Sequence, residues 1–161
     1  MNVAIIGAGL IGTKRAGAVV KNSDLKLVCD LDSKRAEELA EKYKSDFCLD
    51  YNEIVSYDDI NTVIVATTNE YLAPISVASL RAGKHVLCEK SSTVSFKSAK
   101  KMVDICIDNK VRILEGFMFR FHPQHKKVKD LISDHSIGKS FLFNGNFGFP
   151  TFPKGNIRYD L

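Results

Sequence analysis

Short apolar runs alternate with amphipathic stretches along most of this 161-residue chain. The alternation predicts strands at Asn2–Ile6, Leu25–Asp30, Asp46–Cys48, Thr62–Ala66, His85–Cys88 and Val111–Glu115. Helical spacing falls between them, at Leu10–Lys21, Ser33–Lys44, Ala73–Ala82 and Phe96–Asn109. The runs Val63-Ile64-Val65-Ala66 and His85-Val86-Leu87-Cys88 are apolar nearly throughout, as parallel strands covered on both faces are. Ser33 is placed to cap its helix, whose inward stripe is Ala36, Leu39 and Ala40. Gly83 follows Arg81-Ala82 and reads as a helix C-cap before a strand. Strand and helix in turn imply an α/β fold, a doubly wound parallel sheet.

The pattern changes after Glu115. Pro123–Asp134 reads as a helix with Val128, Leu131 and Ile132 inward and Gly138 closing it. Beyond it, Phe141, Phe143, Phe147 and Phe149 fall on one face of an extended strand. Such a face needs a covering layer. The expected organisation is a nucleotide-binding domain over residues 1–120 and the beginning of a second, α+β domain over 121–161, incomplete here. The aromatic strand is also a surface on which two copies could pair into a homo-oligomer.

The first dozen residues carry the most specific local signal. Val3-Ala4-Ile5-Ile6 runs into Gly7-Ala8-Gly9-Leu10-Ile11-Gly12, a strand, a glycine turn and a helix start. Gly7 permits the tight turn, Gly9 lets backbone N–H groups approach a pyrophosphate, and Gly12 lets helix and strand pack closely. The helix beginning at Leu10 aims its positive end at that ligand. Asp30 lies eighteen positions past Gly12, at the end of the second apolar run. A carboxylate there accepts hydrogen bonds from an adenosine ribose and repels a 2′-phosphate. Asp30 therefore favours NAD, with Leu31 and Lys34 beside it on the adenosine half. Ser33, Lys34 and Arg35 leave NADP as the alternative, because they could receive a phosphate.

Composition narrows the setting. Hydrophobic residues make up 45% and charged residues 26%, as in globular proteins. A net charge of +4, mostly scattered, does not argue for nucleic acid. The basic cluster His125-Lys126-Lys127 with Lys129 reads as a solvated helix face. Cys29, Cys48, Cys88 and Cys106 have no metal-ligand spacing and read as reduced thiols of a cytoplasmic protein, with no metal expected. No signal peptide and no membrane-length apolar segment is expected.

The stretch Gly83-Lys84-His85-Val86-Leu87-Cys88-Glu89-Lys90 puts an acid and a lysine at the C-terminal end of a parallel strand. Ligands of open α/β sheets sit at that edge. A lysine there can donate to a substrate hydroxyl or stabilise a developing alkoxide.

These segments, with Ala66-Thr67-Thr68-Asn69, Glu115–Gln124 and Asn156-Ile157-Arg158, resemble the glucose–fructose oxidoreductase/inositol dehydrogenase family, Gfo/Idh/MocA. The resemblance implies a Rossmann domain holding NAD(P) and a second domain holding a sugar-like substrate, with hydride passing between a carbinol carbon and nicotinamide C4. It puts the active lysine at Lys90. Cofactor contacts fall at Gly7–Gly12, Asp30, Leu31, Lys34, Thr67, Thr68, Asn69, Leu72, Glu89 and Lys90, and substrate-side candidates at Arg120, His122 and Arg158. The family usually carries proline where this chain has Thr68 and Ser91, and often histidine where it has Leu72. Its Asp-x-x-x-His or Asp-x-x-x-Tyr acid/base motif would follow residue 161. The expectation is thus the N-terminal part of a sugar or polyol dehydrogenase that binds dinucleotide but turns over weakly or not at all. The alternative is a non-enzymatic nucleotide-sensing or partner-binding module.

Overall fold

The computed structural model describes residues 1–146, Gly148, Pro150, Thr151 and Lys154. Two compact parts divide between Phe117 and Met118. The first holds six strands: β1 (Asn2–Ile6), β2 (Asp24–Cys29), β3 (Asp46–Cys48), β4 (Thr62–Val65), β5 (His85–Cys88) and β6 (Ile113–Glu115). They form one sheet in the order β3-β2-β1-β4-β5-β6. Every pair is parallel. The chain begins mid-sheet, winds out to β3, then crosses back to β4 and runs out to β6. That reversal creates a crevice between β1 and β4 at the carboxyl ends of the strands.

Alternation along the strands builds two cores, with a register shift between Leu25 and Leu27 of β2 turning those two leucines to opposite faces. Ala4, Ile6, Leu27, Cys29, Val63, Val65, Val86 and Cys88 face one side. There they meet Ile54 of α3 (Tyr51–Ser56), Leu72, Ile75 and Leu80 of α4 (Asn69–Arg81), and Met102 and Cys106 of α5 (Phe96–Asp108). Val3, Ile5, Leu25, Val28 and Ile64 face the other side. They meet Ala16 of α1 (Leu10–Val19) and Leu39 and Ala40 of α2 (Ser33–Tyr43). Helices on both faces are why β4 and β5 are apolar nearly throughout.

Two local expectations are corrected, and one element is added. Asp32, not Ser33, caps α2, and its carboxylate accepts the Arg35 N–H at 3.2 Å. Helix α4 begins at Asn69, four residues ahead of expectation, and carries Pro74 in its interior. The short α3 carries no periodic signal: it is one and a half turns with a single buried side chain, Ile54. Asp50 caps it by accepting the Asn52 N–H at 2.9 Å.

The second part has a 3-10 turn at Met118–Phe121 and the helix α6 (Pro123–Ser133). The His122 ring caps α6, its Nδ1 accepting the Gln124 N–H at 3.2 Å. The helix ends at Ser133, with His135 left-handed, so Gly138 closes a later turn. Val128 and Ile132, expected inward, are exposed. Residues 141–146 form no strand, and Phe141 and Phe143 are exposed, the latter at 87%. Among the described residues no neighbouring strand offers Phe141–Asn146 a hydrogen-bonding edge, and an unpaired strand is not stable alone. Phe147, Phe149 and Arg158 lie outside the described residues. No helix among the described residues is long and apolar enough to cross a membrane.

Candidate functional site

The carboxyl ends of β1, β2, β4 and β5 bring the glycine turn, Asp30, Thr67, Thr68, Asn69, Glu89 and Lys90 to one edge of the sheet. Gly7 leaves β1 at φ +100°, and its N–H donates to the Cys29 carbonyl at 2.7 Å. A Cβ there would come within 2.6 Å of the Ala66 carbonyl oxygen, so the glycine turn and the β4 loop are pressed together. A Cβ on Gly12 would overlap the Gly7 carbonyl oxygen. Gly9 differs, because a Cβ there meets nothing within 4 Å. It is also the N-cap of α1, and no side chain caps that helix. The first-turn N–H groups of α1, at Leu10 and Ile11, thus face open space with a positive helix end behind them. That is an anion cradle, and a pyrophosphate fits it.

Asp30 ties this cradle to β2. One carboxylate oxygen accepts the Ala8 N–H at 2.7 Å, and the other accepts the Asp32 N–H at 2.9 Å. Each oxygen keeps a lone pair for a hydroxyl. The nearby cations are turned to their own helix. Arg35 Nε lies 3.3 Å from Asp32, and Lys34 Nζ 3.9 Å from Glu38. Leu31 is exposed beside them.

On the other side of β1, the β4 loop carries half-buried Thr67 and exposed Thr68 and Asn69, with Thr68 as N-cap of α4. Glu89 and Lys90 follow β5. Lys90 is exposed and its peptide bond to Ser91 is cis. Glu89 is only 6% exposed. Arg15 of α1 reaches it, Nε donating to Oε1 at 2.7 Å while Nη2 joins the same oxygen. A Cβ on Gly116 would come within 2.9 Å of the other oxygen, so β6 also closes on Glu89.

Leu72 does not belong to this edge. It is 0% exposed, inside the core beneath α4, and offers no surface to a ligand. Arg120 and His122 lie in the second part, exposed, with the His122 ring used as a cap. Arg15 carries no motif of its own in the sequence, and Gly116, though inside the Glu115–Gln124 segment, gives no sign of its approach to Glu89, since their shared partner is seventy-four and twenty-seven residues away. Lys84 is a further buried charge, at the opposite end of β5. Its Nζ donates to the Tyr57 and Ile60 carbonyls at 2.7 and 2.9 Å, fixing the turn into β4. Burial holds this ammonium below the usual lysine range. Among the described residues no group of three potential metal ligands comes together.

The model of the oxidoreductase family with an NAD-binding Rossmann fold, Gfo/Idh/MocA, matches residues 1–117. The chain belongs to this family. It is 31% identical to the dTDP-3,4-didehydro-2,6-dideoxy-alpha-D-glucose 3-reductase of Actinomadura kijaniata, over 99% of this chain and 49% of that protein. It is 28% identical to the inositol 2-dehydrogenase of Salmonella typhimurium, over 96% of this chain and 48% of the relative. Among solved structures, a variant of the 3-ketoreductase KijD10 from Actinomadura kijaniata, in complex with TDP-benzene and NADP, superposes with a TM-score of 0.91 at 28% identity. That match covers 99% of this chain and 50% of the other. GenD2 from gentamicin A biosynthesis, in complex with NAD, gives 0.82 at 25% identity over 84% of this chain and 40% of the other. The chain spans about half the length of the curated relatives it matches. A nicotinamide dinucleotide is the cofactor of the family's Rossmann fold.

Proposed function

We propose that this chain is the cofactor half of an NAD-dependent oxidoreductase acting on a sugar or related polyol. The observation that carries the reading is the common edge at which the uncapped start of α1, the Asp30 carboxylate and Lys90 converge. First-turn N–H groups of α1 hold the pyrophosphate, with Gly9 giving clearance. Asp30 receives ribose hydroxyls on the β2 side, while Thr67, Thr68 and Asn69 line the way towards β5. Bound NAD supplies the hydride acceptor. Lys90, exposed beyond β5, donates a hydrogen bond to the substrate hydroxyl and stabilises the oxygen as its negative charge grows.

NAD is favoured over NADP for two reasons. Asp30 repels a 2′-phosphate, and Arg35 and Lys34 are directed to Asp32 and Glu38 rather than to the ribose. The sugar class follows from the relatives, which reduce a dTDP-linked ketosugar or oxidise inositol, as their names state. The test is a panel of polyols and sugars with NAD, read by NADH formation, using wild type and Lys90→Ala. The expected result is at most slow residual turnover by wild type, abolished in Lys90→Ala while NADH binding stays within about twofold. Undiminished turnover in Lys90→Ala would contradict the assignment.

A further inference from the structure

Arg15 makes the one buried ion pair on this edge among the described residues. It extends from α1, the helix that cradles the pyrophosphate, to the residue next to Lys90. Glu89 is nearly sealed, with its side chain 8% exposed against 23% for that of Arg15. Its charge is therefore poorly screened by water. Position gives this charge a consequence. Asp30 ends β2, on one side of β1, and Glu89 follows β5, on the other. A dinucleotide with its ribose at Asp30 and pyrophosphate at Gly9 carries its nicotinamide towards Glu89. That ring is cationic in NAD+ and neutral in NADH. An unpaired carboxylate beside it would favour the oxidised form.

We propose that Arg15 sets which redox form of the cofactor the site prefers, by neutralising Glu89 at the nicotinamide end. It is a positioning and charge-balancing residue that acts through Glu89. The proposal rests on the dinucleotide reading above. Without Arg15, the site favours NAD+; without Glu89, the unpaired guanidinium favours NADH.

The test measures the dissociation constants of NAD+ and NADH for wild type, Arg15→Met, Arg15→Lys, Glu89→Gln and the Arg15→Met/Glu89→Gln double variant at low salt. The ratio of the two constants is the readout, because a merely structural effect moves both together. Arg15→Met is expected to shift the ratio towards NAD+ by about threefold to tenfold. Glu89→Gln is expected to shift it towards NADH by a comparable factor. The double variant and Arg15→Lys return close to the wild-type ratio. An unchanged ratio in both single-site neutralisations overturns the proposal and leaves the cofactor reading standing. Should Arg15→Met fail to fold, the Glu89→Gln shift decides alone. A wild-type chain that binds neither form overturns the cofactor reading, and this proposal with it.

Discussion

At the scale of single residues, the glycines of the first turn do different work, and substitution separates them. Gly12 has no room for a side chain, since a Cβ would overlap the Gly7 carbonyl. Gly12→Ala should therefore destabilise the fold, seen as a lower midpoint in urea unfolding. Gly9 faces open space. Gly9→Ala should leave the midpoint almost unchanged and weaken NADH binding about tenfold or more, by holding the pyrophosphate off the backbone. Cys88 offers a test of burial. Its thiol has no accessible surface, and burial pushes it up to about 11. An unfolded thiol ionises near 9. Between those values the folded chain holds the proton that the unfolded chain has lost, so this group's contribution to stability falls as pH rises from about 9 to about 11. Cys88→Ala should flatten that fall relative to wild type in denaturant titrations across the window. At this scale a motif makes residues such as Gly7, Gly9, Gly12, Asp30 and Lys90 legible as candidates. Arg15 escaped because its role is set by a contact with Glu89 across the fold, which no local spacing encodes. Leu72 was misplaced because a motif position does not say which way a helix turns it.

Among the elements, strands and long helices were legible because each shows a burial period over several residues. The six-residue α3 was not, because one buried side chain makes no period. The early start of α4 was hidden by Pro74, which signals a first helical turn but lies in the interior. Helix ends give a sharper test. Helix α4 closes with the Gly83 N–H on the Leu80 carbonyl and the Lys84 N–H on that of Ser79, with Gly83 at φ +74°. Helix α5 closes the same way, from Lys110 to Ile107 and from Val111 to Cys106, but with Lys110 in the left-handed region at φ +55°. The space around Gly83 is open. Gly83→Ala should thus cost about 1 kcal/mol for backbone reasons alone. Lys110→Gly should gain a fraction of that, because glycine carries no left-handed penalty but more unfolded-state entropy. Thermal melts of the two variants should move in opposite directions from wild type.

For the whole molecule, every buried apolar residue of the described chain lies at or before Cys106, and the sheet ends at Glu115. Residues 1–117 therefore contain a complete core of their own. A chain ending after Phe117 should fold with a melting temperature within a few degrees of the longer one, and should bind NADH equally well. The aromatic strand expected after α6 depended on a partner layer, and Phe141 and Phe143 lie exposed without one among the described residues. A single strand pattern is a weaker guide than strands that find each other in a sheet. The central claim is that the carboxyl edge of this sheet is a dinucleotide socket built on the uncapped start of α1. Calorimetric titration of the 161-residue chain with NADH, beside Gly9→Ala, tests it most directly. The account predicts saturable binding at one site by wild type and a loss of about tenfold or more in Gly9→Ala with an unchanged melting temperature. No saturable binding by wild type at millimolar NADH, or equal binding by the two proteins, would contradict it.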